Sequence, residues 1–275
     1  MIGAIAGDII GSVYEADPIK TKRFPLFHPQ GRFTDDSVLT IATAMAVLED
    51  RDYRRWMLEI GRRYLHAGYG GAFLQWLLSD TPRPYGSWGN GSAMRVSPIG
   101  LAFDTVDTVL LEARRSAEIS HNHPEGIKGA QAAALAVFLA RSTHDKTLIQ
   151  KELADRFGYN LERSVESIRP SYRFDISCQG TVPEAIIAFL NSDSYEDAVR
   201  NAVSLGGDSD TLACITGAVA EAYYGPLAGK IRDKVKAILP ADLWAIVERF
   251  CRTFCLHPSR PETAAGSPPA PGAKG

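Results

Sequence analysis

"GRFTDDSVLTIATAMAV", residues 31–47, places Asp35 and Asp36 side by side, directly before an almost wholly apolar run. Thr34 is a residue type that caps helix N-termini, and acidic residues in a first helical turn interact favourably with the helix dipole. The stretch therefore predicts a buried helix that begins at an acidic cluster. For one such cluster, helix capping is a sufficient explanation.

The same pattern occurs again in "LGGDSDTLACITGAVAEAYYG", residues 205–225, where Asp208, Asp210 and Thr211 precede a second apolar helix. If both helices are central, their N-termini can meet, and four carboxylates then share a partly buried space. Helix dipoles contribute only about 0.3–1 kcal/mol each, which is too little to stabilise several buried anions. The carboxylates are therefore either separated and solvated, or held together by cations.

The residue types indicate which cations would bind. Oxygen-only ligands select hard divalent ions, so Mg²⁺ or Mn²⁺ is favoured over zinc, and shared carboxylates at this density suggest two ions. His121 and His123 form an HxH pair of the kind that can bind zinc, but neither a cysteine nor a further histidine lies nearby. We therefore favour hydrogen-bonding histidines at a helix start, and the role of His123 stays open.

Helical periodicity dominates the chain, and no stretch shows sustained two-residue alternation bounded by hairpin signals. The pattern predicts an all-α fold. Helices are expected over residues 2–14, 37–48, 53–64, 73–78, 106–119, 124–141, 148–157, 183–190, 195–205, 211–224, 227–238 and 243–255. Those covering 37–47, 130–140 and 212–224 are apolar on nearly every side, so they belong at the centre of a large helical domain.

Composition narrows the class of protein. The chain has 275 residues, 45% of them hydrophobic, which suits one domain or at most two small ones, and its net charge of −2 indicates neither a nucleic-acid nor a membrane surface. Asp8 interrupts the apolar N-terminal run, so we expect no secretory signal. Four cysteines without a CxxC pattern fit a reduced, cytoplasmic protein. We expect a monomer with a catalytic domain over 1–256 and a disordered Pro/Gly/Ala-rich tail over 257–275.

Seven motifs occur in an order that resembles the ADP-ribosylglycohydrolase family, which includes the dinitrogenase reductase-activating glycohydrolase and the ADP-ribosylhydrolases. They are GDIIGSVYE at 7–15, FTDDS at 33–37, GYGG at 68–71, GSWGNGSAMRVSPIG at 86–100, SHNHPEGIKGAQA at 120–132, QGTVPEA at 179–185 and GGDSDT at 206–211. The resemblance spans nearly all of residues 1–225. It implies an orthogonal multi-helix bundle around a central binuclear Mg²⁺ or Mn²⁺ site.

The resemblance also implies the roles of the acidic residues. The metal ligands would be Thr34, Asp35, Asp36, Asp208, Asp210 and Thr211, with Asp210 contacting both ions. Glu15 would face the metals and gate or assist catalysis, although its sequence position alone favours a solvated helix end. Asp8 is interpreted as structural, a buried acid bonded to backbone where Gly7 and Gly11 let helices cross closely.

The glycine-rich stretch PYGSWGNGSAMR carries the expected ligand contacts. Backbone N–H groups in such a loop suit phosphate, although without a following GK[ST] it is no Walker loop, and taken alone it reads as an ordinary turn. By resemblance, the stretch would bind the diphosphate and adenosine of ADP-ribose, with Trp88 packing on the adenosine. The substrate-binding residues would be Gly70, Gly86, Ser87, Trp88, Gly89, Asn90, Gly91 and His121.

We therefore predict a metal-dependent hydrolase that cleaves the N- or O-glycosidic bond at the anomeric carbon of ADP-ribose, in ADP-ribosylated proteins or small molecules. A water molecule would attack that carbon, and its proton would pass to a carboxylate of Asp35, Asp36 or Glu15. A metal-dependent pyrophosphatase or other phosphohydrolase, and a non-catalytic ADP-ribose-binding protein, are the alternatives. The leaving group, whether arginine, serine or O-acetyl, is not specified by these motifs.

Overall fold

Helices make up the regular secondary structure of residues 1–254, the part of the chain that the computed structural model describes, apart from one isolated bridge between Gly89 and Ser177. The prediction of an all-α fold is confirmed. The tail predicted over 257–275 lies outside the described residues. No helix in residues 1–254 combines the length and apolar character that crossing a membrane requires.

Fifteen α-helices are present in the described residues. They are α1 Ile2–Gly11, α2 Asp35–Leu48, α3 Tyr53–Gly61, α4 Gly71–Leu78, α5 Gly91–Met94, α6 Ser97–Ala102, α7 Val106–Glu118, α8 Pro124–Thr143, α9 Lys146–Phe157, α10 Val165–Ile168, α11 Cys178–Leu190, α12 Tyr195–Ser204, α13 Ser209–Tyr224, α14 Gly229–Ile238 and α15 Ala241–Phe254. A short 3-10 turn, Arg62–Tyr64, follows α3.

The centre of the molecule is the contact between α1 and α13. Every residue of α1 is buried, as are all residues of α13 from Ser209 to Ala220. Glycine makes this contact possible, because a Cβ on Gly7 would lie 2.0 Å from the carbonyl oxygen of Ala213, and one on Gly11 would lie 2.3 Å from that of Ser209. The close crossing fixes the start of α13 against the end of α1.

Three short helices are missing from the prediction, and one helix start differs from it by five residues, whereas the other boundaries differ by three residues or fewer. Helices α5, α6 and α10 are only four to six residues long, so their apolar residues do not repeat often enough to show a period. Helix α11 begins at Cys178, five residues before its predicted start at Pro183. Ser177 caps it by accepting a hydrogen bond from the backbone N–H of Gly180 (3.1 Å), and Pro183 lies inside the helix.

Candidate active site

The N-termini of α2 and α13 meet at one cavity of about 300 Å³. Thr34 and Asp208 are the N-cap residues of these two helices, so the acidic first turns point towards the same space. Because α1 crosses α13 so closely, Glu15, just beyond the end of α1, reaches this cavity as well. The predicted residues that line it are Glu15, Thr34, Asp35, Asp36, Asp208, Asp210 and Thr211.

The carboxylates form two groups of three that share one member. Oxygen atoms of Asp8, Asp36 and Asp210 lie within 4.8 Å of one another, and so do oxygen atoms of Glu15, Asp208 and Asp210. Such groups could each hold a metal ion, and Asp210 belongs to both. The structure thus brings Asp36 of the first sequence stretch together with Asp210 of the second.

Hydrogen bonds satisfy only part of this cluster. Asp36 Oδ2 accepts a hydrogen bond from Thr211 Oγ1 (3.2 Å), whereas Asp36 Oδ1 is buried and has no hydrogen-bond partner among residues 1–254. Asp208 Oδ2 accepts one from Asn90 Nδ2 (2.7 Å). Buried polar atoms are seldom left without a partner, because losing water without replacement is unfavourable. An orphaned carboxylate oxygen in a set of hard oxygen donors fits a divalent cation.

Asp8 holds the start of α2 in place. Its carboxylate accepts hydrogen bonds from the backbone N–H of Thr34 (2.9 Å) and of Ser37 (3.1 Å), from Thr34 Oγ1 (2.7 Å) and from Ser37 Oγ. The interpretation of Asp8 as a buried acid bonded to backbone agrees with these contacts. Through Asp8, helix α1 positions the residues that bring Asp35 and Asp36 to the cavity.

The electrostatics of the cluster oppose full ionisation. Burial, with the charge of Asp8, raises the pKa of Asp35 to about 8. Burial and neighbouring carboxylates likewise raise the pKa values of Asp36 and Asp210 well above their ordinary range. For half-buried Glu15, burial and Asp208 raise the pKa, and the opposing charge of Arg32 lowers it. Without cations, these side chains therefore hold protons to higher pH than exposed carboxylates do.

Most of the predicted substrate-binding residues line the same cavity: Gly70, Ser87, Gly89, Asn90, Gly91 and His121. Gly86 and Trp88 do not. Gly86 adopts a left-handed backbone conformation (φ +70°), and its N–H donates to Asn122 Oδ1 (2.7 Å). The Trp88 side chain is 52% exposed, and its ring centre lies 5.4 Å from that of His123.

The two histidines have separate environments. His123 caps α8, because its Nδ1 accepts a hydrogen bond from the backbone N–H of Glu125 (3.1 Å). His121 is buried at the cavity, with its Nδ1 2.8 Å from Ser120 Oγ. Burial, and then the charge of Arg95, lower the pKa of His121 well below its ordinary value. The hydrogen-bonding interpretation of the HxH pair agrees with both environments.

Sequence reasoning missed part of the cavity wall. Arg32, Leu39, Ala67, Gly68, Gly71, Ala72, Phe73, Tyr85, Met94 and Ile176 also line it. Phe73 lies in α4, where its spacing is that of an ordinary core residue. Ile176 precedes α11 and is 60% exposed, in a segment without any motif signal. Gly68 and Gly71 lie in the GYGG motif, and Tyr85 and Met94 lie in the stretch PYGSWGNGSAMR, so these four had sequence neighbours that pointed to the site.

Comparisons with known proteins agree with this architecture. A sequence model of the ADP-ribosylglycohydrolase family matches residues 1–259. The chain is 28% identical to ADP-ribosylhydrolase ARH3 of Mus musculus, with 82% of each protein covered, and 27% identical to ARH3 of Homo sapiens, covering 82% of this chain and 84% of that one. A solved ADP-ribosylglycohydrolase-related protein complex has the same fold, with a TM-score of 0.67, 24% identity, and 90% of this chain and 96% of that chain covered. The chain therefore belongs to the ADP-ribosylglycohydrolase family and is a hydrolase of that type.

Proposed function

We propose that the protein hydrolyses the glycosidic bond at the anomeric carbon of ADP-ribose, in an ADP-ribosylated protein or small molecule, with two Mg²⁺ or Mn²⁺ ions. The observation that supports this proposal is the composition of one cavity. Its wall combines the acidic N-termini of α2 and α13 with the glycine-rich stretch around Ser87 and Gly89. A ligand with a ribose at one end and a diphosphate further along matches both kinds of surface.

Six residues would hold the ions: Thr34, Asp35, Asp36, Asp208, Asp210 and Thr211. The orphaned Asp36 Oδ1 and the crowding of carboxylates favour such binding, since cations would neutralise the repulsion. Bound divalent ions supply Lewis-acid chemistry, which polarises a substrate oxygen and acidifies a water molecule. Asp210, shared by both carboxylate groups, would be the ligand common to both ions.

Side chains of the protein would accept the proton of the attacking water and stabilise the charge that develops on the substrate. Glu15 lies at the cavity with its pKa raised by burial and Asp208, so it suits a carboxylate that accepts a proton from the attacking water. Positive charge that develops on the ribose ring would lie beside Asp35 and Asp36, which would stabilise it. These carboxylates would act on the ribose, away from the diphosphate.

The remaining half of the ligand would lie along the glycine-rich loop. Backbone N–H groups of such loops bind phosphate oxygens, and Gly86 and Ser87 are the proposed contacts. Trp88 would stack on the adenine at the outer edge of the site, which its exposure permits. Phe73 and Tyr85, which line the cavity, are the other aromatic rings against which an adenine could pack.

A panel of substrates tests the proposal. ADP-ribosyl-arginine, ADP-ribosyl-serine and O-acetyl-ADP-ribose would each be incubated with Mg²⁺, with Mn²⁺ and with EDTA. Free ADP-ribose as the product, formed only with metal, supports the proposal and identifies the leaving group. AMP plus ribose phosphate would instead indicate a pyrophosphatase, and binding of ADP-ribose without turnover would indicate a non-catalytic protein.

Cell location and oligomeric state are part of the same proposal. We propose that the protein acts as a monomer in the cytoplasm, and the buried free thiols of Cys178 and Cys214 fit a reducing compartment. Sedimentation of the active fraction tests the monomer, and fractionation of cells tests the location.

A further inference from the structure

Arg95 is a buried cation with an unusual environment. Its side chain is 0% exposed, and no carboxylate of residues 1–254 forms an ion pair with it. Nη2 donates to the carbonyl oxygen of Ser116 (2.5 Å) and to Ser120 Oγ (3.2 Å), whereas Nε and Nη1 have no hydrogen-bond partners among the same residues. The guanidinium carbon also lies 6.0 Å from the centre of the Phe73 ring. Burying an incompletely paired charge is strongly unfavourable. A residue that keeps such a charge calls for a specific role.

Ser120 connects this cation to His121. A guanidinium group can only donate hydrogen bonds, so Ser120 Oγ is the acceptor from Arg95. The same oxygen lies 2.8 Å from His121 Nδ1, and within the described chain the Ser120 side chain has no third hydrogen-bond partner. Since the hydroxyl proton is buried, it is satisfied only if it points to Nδ1. That atom is then an acceptor, and the imidazole proton is on Nε2.

The Nε2 edge of the ring faces the glycine-rich loop. A Cβ on Gly91 would lie 3.1 Å from His121 Nε2, and one on Gly89 would lie 3.6 Å from it, and all three residues line the cavity. Because burial and Arg95 lower the pKa of His121, the ring is neutral and has a single N–H. Its tautomer therefore decides whether the cavity receives a donor or an acceptor.

We infer that Arg95 and Ser120 are positioning residues that fix His121 in the tautomer with the proton on Nε2, so that His121 donates a hydrogen bond to an acceptor oxygen of the bound ligand. The identity of that ligand rests on the proposed function, and in ADP-ribose the acceptors are phosphate and ribose oxygens. Asn90, by contrast, uses its amide Nδ2 on Asp208 and Thr181. His121 is thus a fixed donor on the loop side of the cavity.

The test is the tautomer of His121 in the protein without ligand. Proteins with isotope-labelled histidine would be studied by long-range hydrogen–nitrogen correlation NMR, which distinguishes the two tautomers, and ADP-ribose affinity would be measured by calorimetry. The variants are Ser120→Ala, which removes the link, and Ser120→Thr, which keeps the hydroxyl. Ser116→Ala is the matched control, because Ser116 is also buried on this side but its Oγ has no hydrogen-bond partner within residues 1–254.

We expect the Nε2–H tautomer in the parent, in Ser120→Thr and in Ser116→Ala. In Ser120→Ala we expect a shift towards the other tautomer. We also expect about a tenfold loss of ADP-ribose affinity, which is the effect of losing one hydrogen bond from His121 to the ligand. The Nδ1–H tautomer in the parent, or an unchanged tautomer in Ser120→Ala, overturns the inference. A parent that shows the Nε2–H tautomer but does not bind ADP-ribose overturns the proposed function instead. Arg95→Met tests the role of Arg95 in the tautomer of His121 directly, if this variant folds. If it does not fold, the tautomers measured in the Ser120 variants decide whether the inference holds.

Discussion

Asp210 is the residue whose substitution separates metal binding from helix capping. Asp210→Asn keeps the shape of the side chain but removes one negative charge from both carboxylate groups. We expect it to nearly abolish hydrolysis and to reduce strongly the stabilisation that metal gives the parent. That stabilisation should be about 2.7 kcal/mol at roughly a hundredfold excess over the dissociation constant. Activity assays and thermal melts with EDTA, Mg²⁺ and Mn²⁺ measure both effects.

The metal-free melts provide the internal control. With EDTA, Asp210→Asn should be no less stable than the parent, because some repulsion is relieved. Asp145→Asn is the matched variant, since Asp145 also begins a helix but is exposed and caps α9 through the backbone N–H groups of Thr147 and Leu148. It should leave activity and the metal response unchanged. If capping alone explained the acidic helix starts, EDTA would leave activity intact and metal would shift neither melting temperature.

Trp88 gives a second prediction at the scale of one side chain. If its exposed ring stacks on adenine, the contact contributes roughly 1–3 kcal/mol, as base–aromatic stacking does. Trp88→Ala should then weaken ADP-ribose binding by about one to two orders of magnitude, as measured by calorimetry. Leu111→Ala, which truncates a similarly exposed apolar side chain on α7, should not change the affinity. Unchanged affinity in Trp88→Ala would contradict stacking by Trp88, and Phe73 and Tyr85 would then be the candidate rings for packing on the adenine.

The site could be predicted from sequence where its chemistry is visible in residue types. Aspartates and a threonine ahead of an apolar helix are unusual enough that Asp36 and Asp210 could be expected to meet, and the structure brings them together. Phe73 could not be identified, because a cavity wall and an ordinary core use the same apolar spacing. Arg95 was equally hidden, since its burial depends on neighbours that are distant in the sequence, such as Phe73 and Ser116.

At the scale of helices, the crossing of α1 and α13 should be sensitive to a single methyl group. Gly7→Ala would place a Cβ 2.0 Å from the carbonyl oxygen of Ala213, a distance that forces the two backbones apart. We expect destabilisation of about 1–3 kcal/mol or more, typical of overpacking, together with weaker metal binding, because the start of α13 carries Asp210. Denaturant unfolding with EDTA and metal titration measure the two effects.

Gly229→Ala is the matched control for that substitution. Gly229 begins α14, and a Cβ there would contact nothing within 4 Å. Alanine favours helix over glycine, so this variant should be as stable as the parent or slightly more so. Equal stability of Gly7→Ala and Gly229→Ala would contradict the role assigned to the crossing.

The helix boundaries show which helices the sequence pattern predicts and which it does not. Long helices such as α2 and α13 were predictable, because their apolar character extends over several turns. Helices α5 and α10 have one turn each, and such short segments form only because tertiary contacts hold them. For α11, the predicted helix began at Pro183, whereas the cap that starts this helix is Ser177. Pro183 is the sixth residue of α11, so it removes the backbone hydrogen bond to the carbonyl of Gln179, and the helix nevertheless continues through it. The position of a proline alone therefore does not mark the helix boundary.

For the whole molecule, the acidic cavity predicts an inverse dependence of stability on pH. Burial raises the pKa of Asp8 to about 6 and, with the charge of Asp8, that of Asp35 to about 8. In the unfolded chain both groups ionise near about pH 3.9. The metal-free folded state therefore holds more protons between about pH 4 and 8, so its free energy of unfolding should fall as the pH rises through this window.

Metal should reverse this trend, because cations bind deprotonated carboxylates. We expect Mg²⁺ or Mn²⁺ to raise the melting temperature more at pH 8 than at pH 5. Thermal melts across this range, with EDTA and with each metal, measure the dependence. A metal-free protein that becomes more stable between pH 4 and 8 would contradict the crowding of buried carboxylates.

The contact between α1 and α13 also has a consequence for biosynthesis. The backbone N–H of Gly3 donates to Glu221 (2.7 Å), across a separation of 218 residues. Ribosomes add about 5–20 residues per second, so about 10–45 s pass between the synthesis of the apolar helix α1 and that of the part of α13 that it contacts. During this time Asp8 and Asp36 lack Asp210, and the nascent chain has no complete cation site. The cluster could therefore bind a cation only after Asp210 has been synthesised, and a growing polypeptide with an uncovered α1 is the form in which we expect chaperones to bind this protein.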